Sequence, residues 1–115
     1  MYTLLGYKKC STCNNAEKFL REKNIDYIYR DIKEDKLSEE EIKELINLSN
    51  KDIKYFFNTS GLIYRNLNLK DKLSDMSYEE KIRLLASDGM LVKRPILILD
   101  DKVLVGFKTN EWDEL

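Results

Sequence analysis

The hydrophobic positions near the start of the chain change from a short apolar run to helical spacing and then back to a β-forming run. Residues 2–5 predict a strand closed by Gly6, and residues 27–32 predict a second strand. Between them a helix is predicted over about residues 11–23, with Asn24 as its C-terminal stop. The apolar positions that follow this helical spacing are Cys13, Ala16, Phe19 and Leu20. A strand, a helix and a strand in this order favour a parallel strand pair.

The hydrophobic pattern in the middle of the chain is helical. Ser38 and Ser77 each stand three residues before a glutamate, which is the capping-box signature of a helix start. The stripes expected to be buried after these caps are Ile42, Leu45 and Ile46 in the first helix and Tyr78, Ile82 and Leu85 in the second. The short segments expected between the two helices are a helix over residues 51–58 ending near Gly61 and a stretch in which Tyr64, Leu67 and Leu69 pack inward.

The β pattern returns in the last quarter of the chain, after Asp88-Gly89. Residues 96–99 and 103–105 predict a hairpin with a two-residue turn at Asp100-Asp101. Thr109 is expected to cap a last short helix that runs through Trp112. The complete order of elements is β-α-β, a helical insert and β-β-α, which predicts an α/β fold with a mixed sheet.

Length and charge narrow the class of protein. The chain has 115 residues, which suits a single domain over residues 1–115, with a core of about 1–34 and 88–115 and a helical insert of about 35–87. Twenty basic and twenty-one acidic residues give a net charge of -1, so no basic footprint for direct nucleic-acid binding is expected. No apolar run is long enough for a membrane span and no signal peptide is visible, so we expect a cytoplasmic protein.

Two cysteines and no histidine limit the available chemistry. The cysteines form the motif Cys10-Ser11-Thr12-Cys13, and in a reducing compartment such a pair is more often catalytic or redox-sensing than a structural crosslink. We expect no metal site, because the chain offers no third or fourth thiolate or imidazole ligand to zinc. A plainer interpretation of Cys13 stays open, since its spacing also suits a small apolar residue on the buried face of the helix.

The position of the motif between a predicted strand and a predicted helix suits thiol chemistry. Backbone N–H groups and the helix dipole at a helix N-terminus favour an anion and lower the pKa of a thiol placed there. Lys8 and Lys9 add positive charge before the motif. We therefore expect Cys10 to be the nucleophile. Cys13, one turn later, is expected to be the resolving thiol, so that the two form a redox disulfide.

Pro95 is the single proline of the chain and stands directly before a predicted strand. A proline at this place belongs at a strand start or a sheet edge. Its peptide bond can be cis or trans on sequence grounds, with trans far more common. Arg94, immediately before it, is by default an exposed basic residue.

Beyond these local patterns, long stretches of the chain resemble the ArsC/Spx family and, within it, the YffB/YusI-like members. The stretches are Phe56-Phe57-Asn58-Thr59-Ser60-Gly61, Tyr64-Arg65-x-Leu67-Asn68-Leu69-Lys70 and Leu84-Leu85-Ala86-Ser87-Asp88-Gly89-Met90-Leu91-x-Lys93-Arg94-Pro95. The resemblance implies a thioredoxin-like fold with a helical insertion and a cis-proline facing the active cysteine. It implies that Arg94 binds an oxyanion or steadies a thiolate as part of the catalytic site. The residues expected to bind substrate are Ser11, Thr12 and Pro95.

The chain also departs from the pattern that this resemblance implies for arsenate reductases. Those enzymes use one cysteine and grip the oxyanion with three arginines, of which only Arg94 has a clear counterpart. The other two positions fall on Asn58 and on or near Phe107, although a shift of one or two residues would bring Arg65 into play. Losing two guanidinium groups removes charge-assisted bidentate binding, so arsenate is doubtful as a substrate.

The sequence therefore predicts a thiol–disulfide oxidoreductase of arsenate-reductase-like type. We expect no bound cofactor, a thiol reductant or small oxidised substrate as partner, and glutathione or a thioredoxin or glutaredoxin as electron donor. A monomer is expected. Two other functions stay open: a Spx-like redox-switched regulator that binds RNA polymerase, and a glutathione-dependent reductase that uses Cys10 alone.

Overall fold

Four short strands form one mixed sheet in the computed structural model, which describes residues 1–115. The strands are β1 (Tyr2–Gly6), β2 (Tyr27–Asp31), β3 (Ile96–Ile98) and β4 (Val103–Val105). Their order across the sheet is β2-β1-β3-β4. β1 pairs parallel with β2 and antiparallel with β3, which pairs antiparallel with β4. The parallel pair and the hairpin predicted from the sequence are both confirmed.

Six helices complete the fold, and four of them lie between β2 and β3. They are α1 (Ser11–Glu22), α2 (Glu39–Ser49), α3 (Leu62–Asn66), α4 (Leu69–Lys72), α5 (Tyr78–Ser87) and α6 (Thr109–Trp112). Single 3-10 turns occupy Ile53–Phe56, Leu73–Asp75 and Gly89–Leu91. No helix has both the length and the apolar character needed to cross a membrane.

A hydrophobic core lies on each face of the sheet. Adjacent residues of β1 point to opposite faces and so belong to different cores. Leu4 belongs to the core formed with α1 and α6, together with Leu20 and Trp112. Leu5 belongs to the larger core on the other face, which the insert helices build. The mixed sheet and its helices form the α/β thioredoxin-like fold that the sequence predicts.

Both capping boxes are confirmed, since Ser38 and Ser77 each accept a hydrogen bond from the backbone of a glutamate three residues later. Thr109 was expected to cap the last helix, and this is wrong. Its helix begins one residue earlier than expected, because the carbonyl of Lys108 already accepts hydrogen bonds from Glu111 and Trp112.

Two residues that the sequence analysis expects to be buried are exposed instead, Tyr78 in the stripe of the second capped helix and Leu67 in the short segment before it. The side chain of Tyr78 is 44% exposed, because it occupies the first turn of α5 and helical side chains lean towards the N-terminus, beyond the packed part of the helix. Leu67 is 41% exposed, since it directly follows α3 at a point where the chain turns. The expected helix over residues 51–58 is reduced to one 3-10 turn.

A bidentate ion pair ties the second strand to the insert. Two nitrogens of Arg30 donate to the two carboxylate oxygens of Glu41, at 2.6 and 3.2 Å. One of these oxygens also accepts the backbone N–H of Ser38, at 3.0 Å, which closes the capping box of α2. The hydrogen bond from Arg30, followed by that from Ser38, lowers the pKa of Glu41 from 4.5 to about 2.

We expect Glu41→Gln to lower the free energy of unfolding at pH 7 by about 1 kcal/mol, since the pair is partly exposed. Because the pKa of Glu41 is depressed in the folded state, its stabilisation is present above about pH 4.5 and is lost as the pH falls towards 2. Urea unfolding of both proteins from pH 7 to pH 2 measures this. A difference in stability that stays constant over that range would contradict the role given to the Glu41 charge.

Candidate active site

Cys10 occupies the N-cap position of α1, at the end of the loop that follows β1. Its backbone N–H donates to the carbonyl of Tyr7 at 2.9 Å, and its Sγ accepts the backbone N–H of Cys13 at 3.4 Å. The side chain is half-buried and free of any disulfide. This arrangement places a sulfur where unpaired helix N–H groups favour negative charge, as the sequence predicts.

Cys13 lies one turn into the same helix and its side chain is fully buried. Burial is the largest influence on its thiol and, together with a hydrogen bond to the side chain of Cys10, raises its pKa to about 12. The two cysteines are therefore unequal: one thiol lies at a helix N-terminus with access to solvent, and the other is held neutral inside the protein.

Alkylation should distinguish these two thiols. We expect iodoacetamide at pH 7 to modify Cys10 in the folded protein and to leave Cys13 unmodified, because the buried thiol is neither accessible nor ionised. Peptide mass spectrometry after timed quenching measures both rates, and labelling in guanidinium chloride, where both thiols react, is the control. Equal labelling of both cysteines in the folded state would refute the assignment.

Three polar side chains lie near Cys13 or contact each other there: Tyr29, Lys8 and Glu17. Burial and the neighbouring Cys13 raise the pKa of Tyr29, whose hydroxyl is buried without a hydrogen-bond partner. The ammonium of Lys8 lies 3.9 Å from the centre of the Tyr29 ring and 3.6 Å from a carboxylate oxygen of Glu17. The charge of Lys8, expected to act on Cys10, is thus compensated by Glu17.

A cavity of about 440 Å³ opens beside Cys10, and we call it the Cys10 cavity. Its walls come from the start of α1, from the turn before α3, from the segment before β3 and from the end of β4. They are formed by Cys10, Thr12, Asn58, Ser60, Gly61, Lys93, Arg94, Gly106, Phe107 and Lys108. Three of these side chains are cationic and none is a carboxylate. The cavity is therefore suited to an anionic ligand next to a nucleophilic sulfur.

Arg94 is held in the wall of this cavity by the backbone around it. Its Nη1 donates to the carbonyls of Met90 and Val92, at 3.5 and 3.4 Å, and the guanidinium carbon lies 5.6 Å from the centre of the Tyr7 ring. No carboxylate pairs with it, and its Nε is buried without a partner. The peptide bond between Arg94 and Pro95 is cis, as the resemblance implies.

Asn58 and Phe107 both line the cavity, at the two places where arginines would be expected in an arsenate reductase. The amide of Asn58 lies close to Gly61, where a Cβ would come within 2.7 Å of its Nδ2. Phe107 packs edge-on against Trp112, with ring centres 4.8 Å apart. Arg65 is exposed and does not line the cavity, so it does not replace a missing arginine.

The structure brings some of the expected site residues together and leaves others apart. Thr12 and Arg94 line the cavity with Cys10, whereas Ser11 is exposed and Pro95 is buried, and neither of these two lines the cavity. The roles of Ser11, Thr12 and Pro95 in substrate binding stay predictions. Sequence reasoning gave no site role to the cations Lys93 and Lys108: Lys93 stands in a stretch of the family resemblance without an assigned role, and Lys108 belongs to no motif.

Comparison with known proteins matches the whole site and nearly the whole chain. The family model described as the ArsC family matches residues 5–115. The uncharacterized protein YusI of Bacillus subtilis strain 168 is 51% identical over 114 residues, which cover 97% of this chain and 95% of YusI. The global transcriptional regulator Spx of the same strain is 27% identical over 111 residues, which cover 96% of this chain and 83% of Spx. The crystal structure of a possible arsenate reductase from Streptococcus mutans UA159 is 43% identical, with a TM-score of 0.89 and 98% coverage of both chains.

Proposed function

The chain belongs to the ArsC family, and from that premise we propose that it is a thiol–disulfide reductase with Cys10 as its nucleophile. One observation carries the proposal: the Cys10 sulfur caps the N-terminus of α1 and lines a cavity whose charged walls are all cationic. A thiolate at a helix N-terminus is a good nucleophile, and cations nearby stabilise both it and the thiolate that leaves. Arg94 and Lys108 are proposed to supply part of this charge.

The proposed first step is attack of the Cys10 thiolate on one sulfur of a disulfide substrate. A bond forms between the Cys10 sulfur and that sulfur, and the substrate disulfide breaks, so that the other half leaves as a thiolate. The leaving thiolate takes a proton from solvent. This step leaves the substrate half reduced and Cys10 in a mixed disulfide.

In the second step Cys13 is proposed to attack the Cys10 sulfur and release the remaining half of the substrate. The position of Cys13 supports this role, because it lies one helical turn after Cys10 and its backbone N–H donates to the Cys10 sulfur at 3.4 Å. The burial and high pKa of Cys13 favour the rival in which an external thiol such as glutathione resolves the intermediate. A thiol reductant then restores the protein, with glutathione, thioredoxin or glutaredoxin as the proposed donors.

The two routes for resolving the mixed disulfide differ in the number of thiolate equivalents that each protein molecule releases. Reduced protein mixed with excess 5,5′-dithiobis(2-nitrobenzoate) should release about two equivalents of thiolate if Cys13 resolves, and about one equivalent if Cys10 acts alone. Cys13→Ser is the matched control and should release about one equivalent in either case. Release of two equivalents by wild type together with an intramolecular Cys10–Cys13 disulfide by mass analysis supports the first route. A covalent dimer as the main product would contradict it.

Arsenate is expected to be a poor substrate. The neutral side chains of Asn58 and Phe107 face the cavity, and lysines bind oxyanions as point charges without the two-pronged geometry of arginine. We therefore expect kcat/KM for arsenate to be at least about a hundredfold below that for a small disulfide, assayed with the same thiol donor. Efficient arsenate reduction that Cys10→Ser abolishes would show this to be wrong.

The likeness to Spx over 111 residues favours one function of a different class, a redox-switched regulator. In that case the same cysteine pair would control docking to RNA polymerase rather than turnover. Pull-down of purified RNA polymerase by the oxidised and the reduced protein tests this directly. Binding in only one redox state, without catalytic disulfide reduction, would favour the regulator over the reductase.

A further inference from the structure

A second, smaller cavity adjoins the Cys10 cavity and shares two of its walls. It measures about 190 Å³, and we call it the lysine cavity. Its lining consists of Lys51, Lys54, Tyr55, Phe57, Thr59, Lys93, Val105 and Lys108. Lys93 and Lys108 line both cavities, so the lysine cavity is the direct neighbour of the cavity that holds Cys10.

The charged side chains that line the lysine cavity all carry the same sign. Four lysines line the lysine cavity and no carboxylate does, although the whole chain has more acidic than basic residues. The side-chain nitrogens of Lys51 and Lys54 lie 5.6 and 5.5 Å from the centre of the same Tyr55 ring. A carboxylate oxygen of Glu111 lies 3.9 Å from the Lys51 nitrogen, and the carboxylate of Asp52 accepts the backbone N–H of Lys54 at 3.0 Å. Glu111 compensates part of the charge of Lys51, whereas Lys54, Lys93 and Lys108 form no ion pair. The like charges that remain repel each other, and a bound anion relieves the repulsion.

Below the cations the lysine cavity is apolar. The side chains of Phe57 and Val105 are 2% and 3% exposed and belong to the core, whereas the Tyr55 ring is half-exposed. A cavity with an apolar floor and cationic walls suits an anionic group attached to an aliphatic or amide stem. A bare inorganic ion would leave the apolar floor uncovered.

We propose that Lys51, Lys54 and Tyr55 form a second anion-binding subsite, which holds the charged arm of a disulfide substrate whose sulfur lies at Cys10. The substrate class is then a low-molecular-weight disulfide with carboxylate or phosphate groups several bonds from the sulfur. This inference rests on the proposed reductase function for the reacting end, whereas the subsite itself depends only on the lysine cavity.

Two disulfides that differ in their arms test the subsite. Glutathione disulfide carries long anionic arms, and 2-hydroxyethyl disulfide is short and uncharged. The second-order rate constant for oxidation of the reduced protein is measured for each by acid quenching, alkylation and mass spectrometry. In Lys51→Gln/Lys54→Gln the preference for glutathione disulfide over 2-hydroxyethyl disulfide should fall about tenfold, as expected for two screened ionic contacts.

A matched pair of charge changes serves as the control. Lys36→Gln/Lys70→Gln removes the same charge from exposed lysines that line neither cavity, and it should leave the preference unchanged. Raising the ionic strength should reduce the preference in wild type and have less effect in Lys51→Gln/Lys54→Gln. An equal loss of preference in both double variants would overturn the subsite, because long-range charge alone would then explain it.

A binding measurement separates the subsite from the reaction. In Cys10→Ser protein, which cannot form a mixed disulfide at this position, glutathione disulfide should shift the backbone amide resonances of Tyr55 and Phe57. These shifts should weaken when Lys51 and Lys54 are also replaced by glutamine. If wild type reacts with neither disulfide while these shifts occur, the proposed reductase function is refuted and the proposed anion-binding subsite is supported. If Tyr55 and Phe57 do not shift, the subsite is overturned whatever the turnover.

Discussion

Cys10→Ser should abolish disulfide reduction, lowering the rate of the first step by at least about a thousandfold, because a serine hydroxyl is not ionised at neutral pH and is a poor nucleophile towards sulfur. The substitution is nearly isosteric, and serine is a preferred N-cap residue, so α1 should still begin at the same place. Loss of activity would therefore report on chemistry rather than on folding. Stopped-flow release of thiolate from 5,5′-dithiobis(2-nitrobenzoate), with circular dichroism of the same samples, measures both.

Cys13→Ser is the control variant that shows whether the loss of activity is specific to Cys10. It removes a buried thiol one turn away and leaves Cys10 at the helix N-terminus, so the first thiolate should still be released. If Cys10→Ser retained most of the rate while Cys13→Ser lost it, the nucleophile would be the buried thiol. The assignment of roles in the Cys10-Ser11-Thr12-Cys13 motif would then be reversed.

Gly89→Ala should cause a large loss of stability, about 3 kcal/mol in the free energy of unfolding and about 10 °C in Tm. Gly89 is buried where the insert returns to the sheet, and a Cβ on it would lie 1.9 Å from the backbone oxygen of Ile32. That oxygen belongs to the residue directly after β2, whose N–H is bonded to the carbonyl of Gly6. Neither backbone can move away freely, so the clash must be relieved by separating the insert from the sheet.

Gly61→Ala is a matched control for this prediction. It brings the same gain of a methyl group and the same loss of backbone freedom in the unfolded chain. The added Cβ would meet chiefly the amide end of Asn58, at 2.7 Å, and a flexible side chain can rotate away. Thermal and urea unfolding of both variants should show a much larger effect at Gly89. Equal losses of stability would mean that the contact with Ile32 does not decide the effect.

Local rules account for most of the elements that the sequence predicts correctly. Capping boxes at Ser38 and Ser77 depend on residues three positions apart, and both form as expected. The same kind of rule is wrong for Thr109, where the choice of first residue depends on which carbonyl the helix N–H groups reach. Tyr78 shows a second limit, since periodicity identifies the face of a helix and not how far along that face the packing extends.

The candidate site also combines features that local sequence predicts with features that only the tertiary fold sets. The Cys10-Ser11-Thr12-Cys13 motif and the Arg94-Pro95 pair are short, and their position next to a strand start or a helix start is visible in the sequence. Asn58 and Phe107 could be placed at the site through the family resemblance, and both do line the cavity. Their meeting with Cys10 depends on how the insert folds back over the sheet, which no local pattern specifies.

The sequence by itself determined the strands, the capped helices, the thiol at a helix N-terminus and the family, because each of these depends on side chains within a few positions of each other or on a long matching pattern. The tertiary structure alone decided that Cys13 is fully buried, that Glu17 compensates Lys8, and that Lys93 and Lys108 line both cavities. Burial and electrostatic compensation depend on distances between atoms far apart in the chain, and folding sets those distances.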